Sequence, residues 1–228
     1  MMNLTELELR VWNQGERLIP GRTHNADEIR RHKSSYEFFR HIIINDLIKA
    51  PSEKPITVLD LGFGCGFGCS ILASVQGVQV TGIDIGEECM EYAAANYSRP
   101  NVEYILADIA AFLKDGESFD YVVSRGVLEH IENGLDVVVD AKWTRRLMFD
   151  VPYAEPPGNN GHHLLTNITE KDFDRWPEVE IFYEDIAGGI YSQGQKPPKP
   201  NMIMGAFSRN GMRSISDMTA FPIAPVIL

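Results

Sequence analysis

The stretch Ile56-Thr-Val-Leu-Asp60-Leu-Gly62-Phe-Gly64-Cys-Gly66 decides the fold of this 228-residue chain. Its first half, residues 56–61, is short and nearly all apolar, which is typical of a strand buried on both faces of a parallel sheet. The glycines that follow allow the backbone to turn tightly and to approach a ligand closely. The sequence therefore predicts a buried strand, a glycine loop and a helix in succession, which is a unit of an α/β fold.

Similar units lie on both sides of this stretch. Six further strands are predicted at residues 79–85, 102–106, 119–124, 146–151, 179–183 and 201–209. Helices are predicted at residues 27–49, 70–75, 87–97, 108–114 and about 128–144, and another one begins at Thr169. This alternation indicates an α/β fold with a Rossmann-like, doubly wound, mostly parallel seven-stranded sheet and helices on both faces. In such sheets the ligand crevice lies at the carboxyl ends of the strands.

The chain divides into three parts around a single core. Residues 1–50 form an N-terminal helical or lid segment, in which Tyr36, Phe39, Ile43 and Leu47 recur at helical spacing and predict a buried face. Residues 51–210 form the core, and residues 211–228 form a tail. Residues 152–160, rich in Pro, Gly and Asn, predict an exposed loop.

Composition excludes several classes of protein. The net charge of -11 argues against a nucleic-acid partner, because affinity for a phosphate backbone comes largely from clustered Lys and Arg. Three cysteines are too few for a disulfide framework. The N-terminus has no secretory pattern, and no stretch has the roughly 20 apolar residues that span a bilayer. We therefore expect a soluble, cytoplasmic protein; its oligomeric state is open, and a homodimer is one option.

The glycine loop fits S-adenosylmethionine better than a dinucleotide. The fingerprint G-x-G-x-x-G fails in each frame, because its last position falls on Phe67, Cys69 or Ile71. Acids also follow three successive predicted strands, at Asp60, Asp84 and Asp108. These carboxylates suit the methionyl ammonium, the ribose hydroxyls and the adenine amino group, respectively. Each acid singly could also be a helix cap or a solvated turn residue.

In order along the chain, four segments resemble the cofactor motifs of class I S-adenosylmethionine-dependent methyltransferases. They are Val-Leu-Asp60-Leu-Gly62-Phe-Gly64-Cys-Gly66, Thr-Gly-Ile-Asp84-Ile, Leu-Ala-Asp108-Ile, and Ser124-Arg-Gly-Val-Leu-Glu129-His130-Ile. The resemblance covers about residues 30–150. It implies that the cofactor is S-adenosyl-L-methionine and that the following residues bind it: Asp60, Gly62, Gly64, Gly66, Asp84, Ile85, Asp108, Ile109, Ser124 and Glu129.

Two features of the chain refine this resemblance. The front motif Gly15-Glu-Arg-Leu-Ile-Pro-Gly21 resembles a branch that is often linked to sugar, glycan or other small-molecule methylation. The chain departs from the family at Lys142–Arg146, where a Pro-Gly-Gly turn is common, and at Gly86, where Ser or Asn would cap a helix better.

The predicted reaction is methyl transfer to a small-molecule acceptor, with a hydroxyl on a sugar or glycan precursor as the favoured group. Nucleic-acid amino methyltransferases of this fold usually carry an Asn/Asp-Pro-Pro-Tyr/Phe box after strand four, which Ser124-Arg-Gly-Val lacks. Candidate bases are His162 and His163 on the 152–163 loop, and His130, which could instead orient that loop. These histidines could bind a divalent ion together with Glu129, Asp150 or Glu155, as in some sugar methyltransferases, but no metal site is predicted because no residues have a metal-specific spacing.

Two alternatives remain open at this stage. One is a nicotinamide-dependent oxidoreductase, which the failed fingerprint disfavours. The other is a regulatory or scaffold protein that binds the cofactor without catalysing transfer.

Overall fold

A computed structural model describes residues 4–13, 17–22 and 25–227 of the chain. Gly15 and Glu16 of the front motif, and parts of the 1–50 segment, lie outside these residues. The described strands are β1 (Ile56–Leu61), β2 (Val78–Asp84), β3 (Val102–Leu106), β4 (Phe119–Arg125), β5 (Trp143–Pro152), β6 (Glu180–Asp185), β7 (Ile190–Ser192) and β8 (Pro200–Ser208). The described helices are α1 (Glu6–Asn13), α2 (Ala26–Lys49), α3 (Phe67–Leu72), α4 (Glu87–Asn96), α5 (Ile109–Asp115), α6 (Gly134–Val139) and α7 (Ile215–Met218).

All eight strands join one sheet in the order β3-β2-β1-β4-β5-β8-β6-β7. The five strands from β3 to β5 are parallel, while β8, β6 and β7 pair in antiparallel fashion at one edge. The Rossmann-like and mostly parallel prediction is confirmed, but the count of seven strands is wrong. The missed strand is β7, which has only three residues and follows Gly188 and Gly189, so it has no alternating pattern of its own.

The sheet has helices on both faces, as predicted. On β4, Tyr121 and Val123 belong to the hydrophobic cluster that includes residues of α2, α3 and α4. Val122 between them belongs to a second cluster, which includes Leu113 of α5 and Val138 of α6. Successive side chains of a strand point to opposite faces, so β4 is covered by helices on each side.

The long helix α2 begins and ends where its sequence dictates. Asn25 and Glu28 form a capping box at its start, and Pro51 follows its last turn. Of its predicted buried residues, Tyr36, Phe39 and Ile43 are in the core, whereas Leu47, in the last turn, is only partly buried against it. Among the described residues, no helix has the length and apolar character needed to cross a membrane.

Three predictions about helices differ from the structure. The helix expected at 128–144 is a 3-10 turn at Leu128–His130 followed by α6, because Asn133 takes a left-handed φ of 55° and separates the two. The helix expected from Thr169 is a 3-10 turn, although the Thr169 cap is present. The helix expected at residues 70–75 is α3, which begins at Phe67 directly after its N-cap Gly66 and ends at Leu72. Near the N-terminus, residues 6–13 form α1, in which Val11 is buried.

Candidate functional site

The glycine loop lies at the carboxyl end of β1, and its three glycines serve different purposes. Gly62, Gly64 and Gly66 all have left-handed φ angles, of 77°, 52° and 88°. A Cβ on Gly62 would lie 2.4 Å from the side chain of Val127, and one on Gly66 would lie 2.6 Å from that of Ala93. At Gly64 a Cβ would meet no atom within 4 Å. Gly62 and Gly66 are thus fixed by packing, whereas Gly64 faces open space.

A cavity of about 200 Å³ opens beside this loop at the carboxyl ends of β1, β2 and β4. Five predicted cofactor residues line it together with the histidine of the fourth motif: Gly62, Asp84, Ile85, Asp108, Ile109 and His130. The Ile85 side chain is 68% exposed although it is large and apolar. An exposed isoleucine in a cleft offers a flat apolar surface to a ring system.

Asp84, at the end of β2, organises the loop. Its Oδ2 accepts a hydrogen bond of 2.8 Å from the backbone N–H of Gly64, and its Oδ1 accepts one of 2.9 Å from that of Gly86. Arg17 Nη2 lies 3.3 Å from the same Oδ1. Arg17 also lines both this cavity and a smaller adjoining one, so the N-terminal segment reaches over the glycine loop.

Asp60 lies beneath the loop and outside both cavities. Its carboxylate accepts hydrogen bonds from the Tyr36 hydroxyl at 3.1 and 3.2 Å and from the Cys69 thiol at 3.2 Å. Burial raises the pKa of Asp60 from 3.8 to about 7, against the opposing effect of the Cys69 and Tyr36 hydrogen bonds. Tyr36 itself lines the smaller cavity. Asp60 therefore contacts the lining of this cavity only through the Tyr36 side chain that it hydrogen-bonds.

The other predicted cofactor residues support the crevice from different places. Asp108 accepts a hydrogen bond from Ala111 N with one carboxylate oxygen and so caps α5, while remaining exposed at the cavity. Ser124 is fully buried and donates to the carbonyl of Leu61, which ties β4 to β1. Glu129, which directly precedes His130 in the chain, is also buried.

The fourth motif and the 152–163 loop meet in space. The ring of His130 lies 4.8 Å from that of His163, centre to centre. His130 Nδ1 lies 3.1 Å from the carbonyl oxygen of His162, and His163 Nδ1 pairs with Glu155. His162 itself is exposed. The structure thus brings two of the three candidate bases together and leaves the side chain of the third outside the pair.

A buried charge cluster, which sequence reasoning missed, lies at the ends of β4, β5 and β6. Arg125 Nη1 lies 3.5 Å from Asp150, and Arg125 Nη2 lies 3.5 Å from Glu184. Burial raises the pKa of Glu184 from 4.5 to about 8, although the nearby Arg125 opposes this. The only sequence signal was that both acids fall near the ends of predicted strands.

We expect Glu184→Gln to become progressively more stable than the wild type as the pH rises. The pKa of Glu184 is higher in the folded state, so between pH 4.5 and 8 the folded protein holds more protons than the unfolded chain. The wild-type free energy of unfolding therefore falls through that window, and a glutamine does not titrate. From pH 5 to 8 the relative gain should be on the order of 2–4 kcal/mol by urea unfolding.

The exposed Glu132 provides the matched control for this experiment. Glu132→Gln should follow the wild-type stability at each pH. A Glu184→Gln curve that runs parallel to the wild type from pH 5 to 8 would contradict the raised pKa.

Comparison with known proteins finds that part of the chain matches one family model. Residues 58–145 match the family model described as a methyltransferase domain. The norajmaline N-methyltransferase of Rauvolfia serpentina is 26% identical over 194 residues, which cover 72% of this chain and 65% of that protein. A ubiquinone biosynthesis O-methyltransferase of Coxiella burnetii is 36% identical over 96 residues, which cover 39% and 41%. The chain thus spans less than two thirds of the length of the curated relatives it matches.

Solved structures share the fold at low sequence identity. The small RNA methyltransferase HEN1 superposes with a TM-score of 0.58 at 17% identity, over 88% of this chain and 27% of that one. The N-methyltransferase NodS from Bradyrhizobium japonicum, in complex with S-adenosyl-L-homocysteine, gives a TM-score of 0.51 at 20% identity, over 82% and 93%. The fold of this chain is that of class I methyltransferases.

Proposed function

We propose that this chain, whose residues 58–145 form a methyltransferase domain, transfers the methyl group of S-adenosyl-L-methionine to a small-molecule acceptor. The observation that carries the proposal is the crevice beside the glycine loop. There an open Gly64, a carboxylate at Asp84 and an exposed apolar Ile85 lie together at the carboxyl ends of parallel strands.

The residues of the crevice fit the parts of this cofactor. Asp84 can accept hydrogen bonds from the ribose hydroxyls, and Ile85 can pack against the adenine ring. Arg17 Nε is buried without a hydrogen-bond partner in the described part of the chain, at a place where it could meet the methionyl carboxylate. Within the proposal, residues 1–50 act as a lid segment over the core at 51–210, with 211–228 as a tail.

The acceptor that we propose is a hydroxyl-bearing small molecule, with a sugar or glycan precursor as the first choice. According to their names, the relatives given above methylate nitrogen or oxygen, so they do not show which acceptor atom is methylated here. The net charge of -11 supports an acceptor other than a nucleic acid, whose phosphates it would repel. A cytoplasmic location is supported by the three cysteines, which are all free and buried.

The chain's own contribution to the reaction is alignment and proton removal. S-adenosylmethionine supplies a methyl group that is already activated by its sulfonium. Methyl transfer is an in-line displacement, so the acceptor must be held on the side of the crevice away from the leaving sulfur. His130 lines that crevice and lies beside His163, so the pair can receive the proton of an acceptor hydroxyl.

We expect the purified protein to bind S-adenosylhomocysteine with one site per chain in isothermal titration calorimetry and to give no heat with NADH. Incubated with isotopically labelled S-adenosylmethionine and a metabolite extract, it should label a small hydroxyl compound that mass spectrometry identifies. Binding of NADH alone would support an oxidoreductase. Binding of S-adenosylhomocysteine without transfer to any component of the extract would support a regulatory protein.

A further inference from the structure

Three potential metal ligands lie together beside the crevice, which one of them, His130, lines. One ligand atom each from Glu129, His130 and His163 lies within 4.8 Å of the other two. We propose that these three side chains bind one divalent transition-metal ion, the ion class that two imidazoles and a carboxylate favour. The sequence predicts no such site because His163 lies 34 positions after Glu129 and 33 after His130, so it meets them only in the fold.

The partners at Nδ1 fix the tautomer that both histidines adopt when their rings are neutral. The carbonyl oxygen of His162 can only accept, so Nδ1 of His130 donates to it and Nε2 keeps its lone pair when the ring is neutral. Nδ1 of His163 pairs with the Glu155 carboxylate in the same way. A partner that fixes the remote nitrogen in this manner is characteristic of metal-binding histidines.

Glu129 provides independent evidence for a bound ion, because one of its carboxylate oxygens has no hydrogen-bond partner in the described part of the chain. Its side chain is 2% exposed, and its Oε2 is buried without a hydrogen-bond partner in the described part of the chain. Such an oxygen is costly unless an ion or donor meets it. Its backbone carbonyl also accepts hydrogen bonds of 2.7 and 3.0 Å from the N–H groups of Leu164 and Leu165. These bonds hold the loop that carries His163 against the motif that carries Glu129 and His130.

Metal binding requires two small adjustments. Ligand atoms around a tetrahedral zinc lie about 3.3 Å apart, so the three groups must close inward by roughly an ångström. His163 Nε2 now lies 3.1 Å from Asn160 Nδ2, and a metal bond would replace this contact. Both His163 and Asn160 lie on the irregular loop between β5 and the Glu170 turn, which can make the shift without disturbing the sheet.

The bound ion would sit beside the crevice, because His130 lines the cavity that also contains Asp84 and Ile85. Its remaining coordination positions would hold oxygen atoms of the acceptor or water. A metal-bound hydroxyl loses its proton more readily, so solvent water could take that proton and the two metal-bound imidazoles would not be needed as its acceptor. This role of the metal rests on the proposed function, but the binding of the metal does not.

The test is a titration of tag-free, chelator-treated protein with Co²⁺, followed by visible absorption and by calorimetry. We expect saturation at about one ion per chain, with visible bands from histidine and carboxylate coordination. Glu129→Gln and His163→Ala should each weaken Co²⁺ binding by about tenfold or more. Co²⁺ should also raise the thermal unfolding midpoint of the wild type more than that of Glu129→Gln.

Two controls make the outcome decisive. His162→Ala removes a neighbouring imidazole but keeps the backbone carbonyl that holds His130, so Co²⁺ affinity should be unchanged. Glu129→Gln keeps the shape of the side chain but removes the carboxylate that would bind the ion, and circular dichroism checks that it folds. The proposal is overturned if one-site binding is absent, or if Glu129→Gln binds Co²⁺ as well as the wild type. A parallel titration with S-adenosylhomocysteine reports the proposed function separately.

Discussion

Replacing Asp84 by asparagine is expected to weaken the binding of S-adenosylhomocysteine about 100-fold. The carboxylate holds the glycine loop through the N–H groups of Gly64 and Gly86, and it is the acceptor that we assign to the ribose hydroxyls. An asparagine can accept with only one oxygen, and its NH₂ group would face a backbone N–H donor. If two charge-assisted hydrogen bonds are each weakened by about 1.5 kcal/mol, the binding affinity falls by roughly two powers of ten.

Calorimetry of Asp84→Asn and Asp108→Asn side by side measures this effect. Asp108 lines the same cavity, but its described hydrogen bond is the cap on α5, so its variant should lose about tenfold or less. Circular dichroism and thermal unfolding show whether both variants keep the fold. An Asp84→Asn protein that is folded and binds with wild-type affinity would remove the assignment of this carboxylate to the cofactor.

The sequence predicts the frame of the site well because that frame depends on local rules. The run from Ile56 to Leu61 and the glycines after it specify a buried strand and a tight turn through composition alone. The position of Asp84 at the end of β2 can be predicted in the same way, because it ends the next strand along the chain. The carboxyl ends of parallel strands then bring Asp84 and Asp108 to one edge of the sheet.

Contacts between distant segments could not be predicted in this way. Tyr36 is visible in the sequence as a core position of a helix, yet its hydroxyl bonds to Asp60, 24 residues later. Arg17 lies in a loop-like motif, and only the fold places it 3.3 Å from Asp84. The meeting of His130 with His163 depends on the course of an irregular loop, which has no periodic pattern to interpret.

The same limit applies to a buried ion pair that joins helix α2 to the sheet. Asp46 of α2 receives hydrogen bonds from Arg146 of β5, from Nε at 2.7 Å and from Nη2 at 2.8 Å. The Tyr121 hydroxyl donates to the same carboxylate at 3.1 Å. Arg146 is fully buried and also bonds to Ser208 and to the carbonyl of Arg213. Asp46 thus neutralises a guanidinium that has no access to water.

We expect Asp46→Asn to lower the free energy of unfolding by about 3–5 kcal/mol, because it leaves the Arg146 charge buried and unpaired. Urea unfolding at pH 7 measures the difference. The matched control is Asp136→Asn, which breaks a 2.6 Å pair with Arg175 in which both side chains are about half exposed, and which should cost less than about 1 kcal/mol. Comparable losses in the two variants would show that burial adds nothing to the Asp46 pair. A large loss confined to Asp46→Asn would show that α2 is anchored to β5 by the compensation of one buried charge.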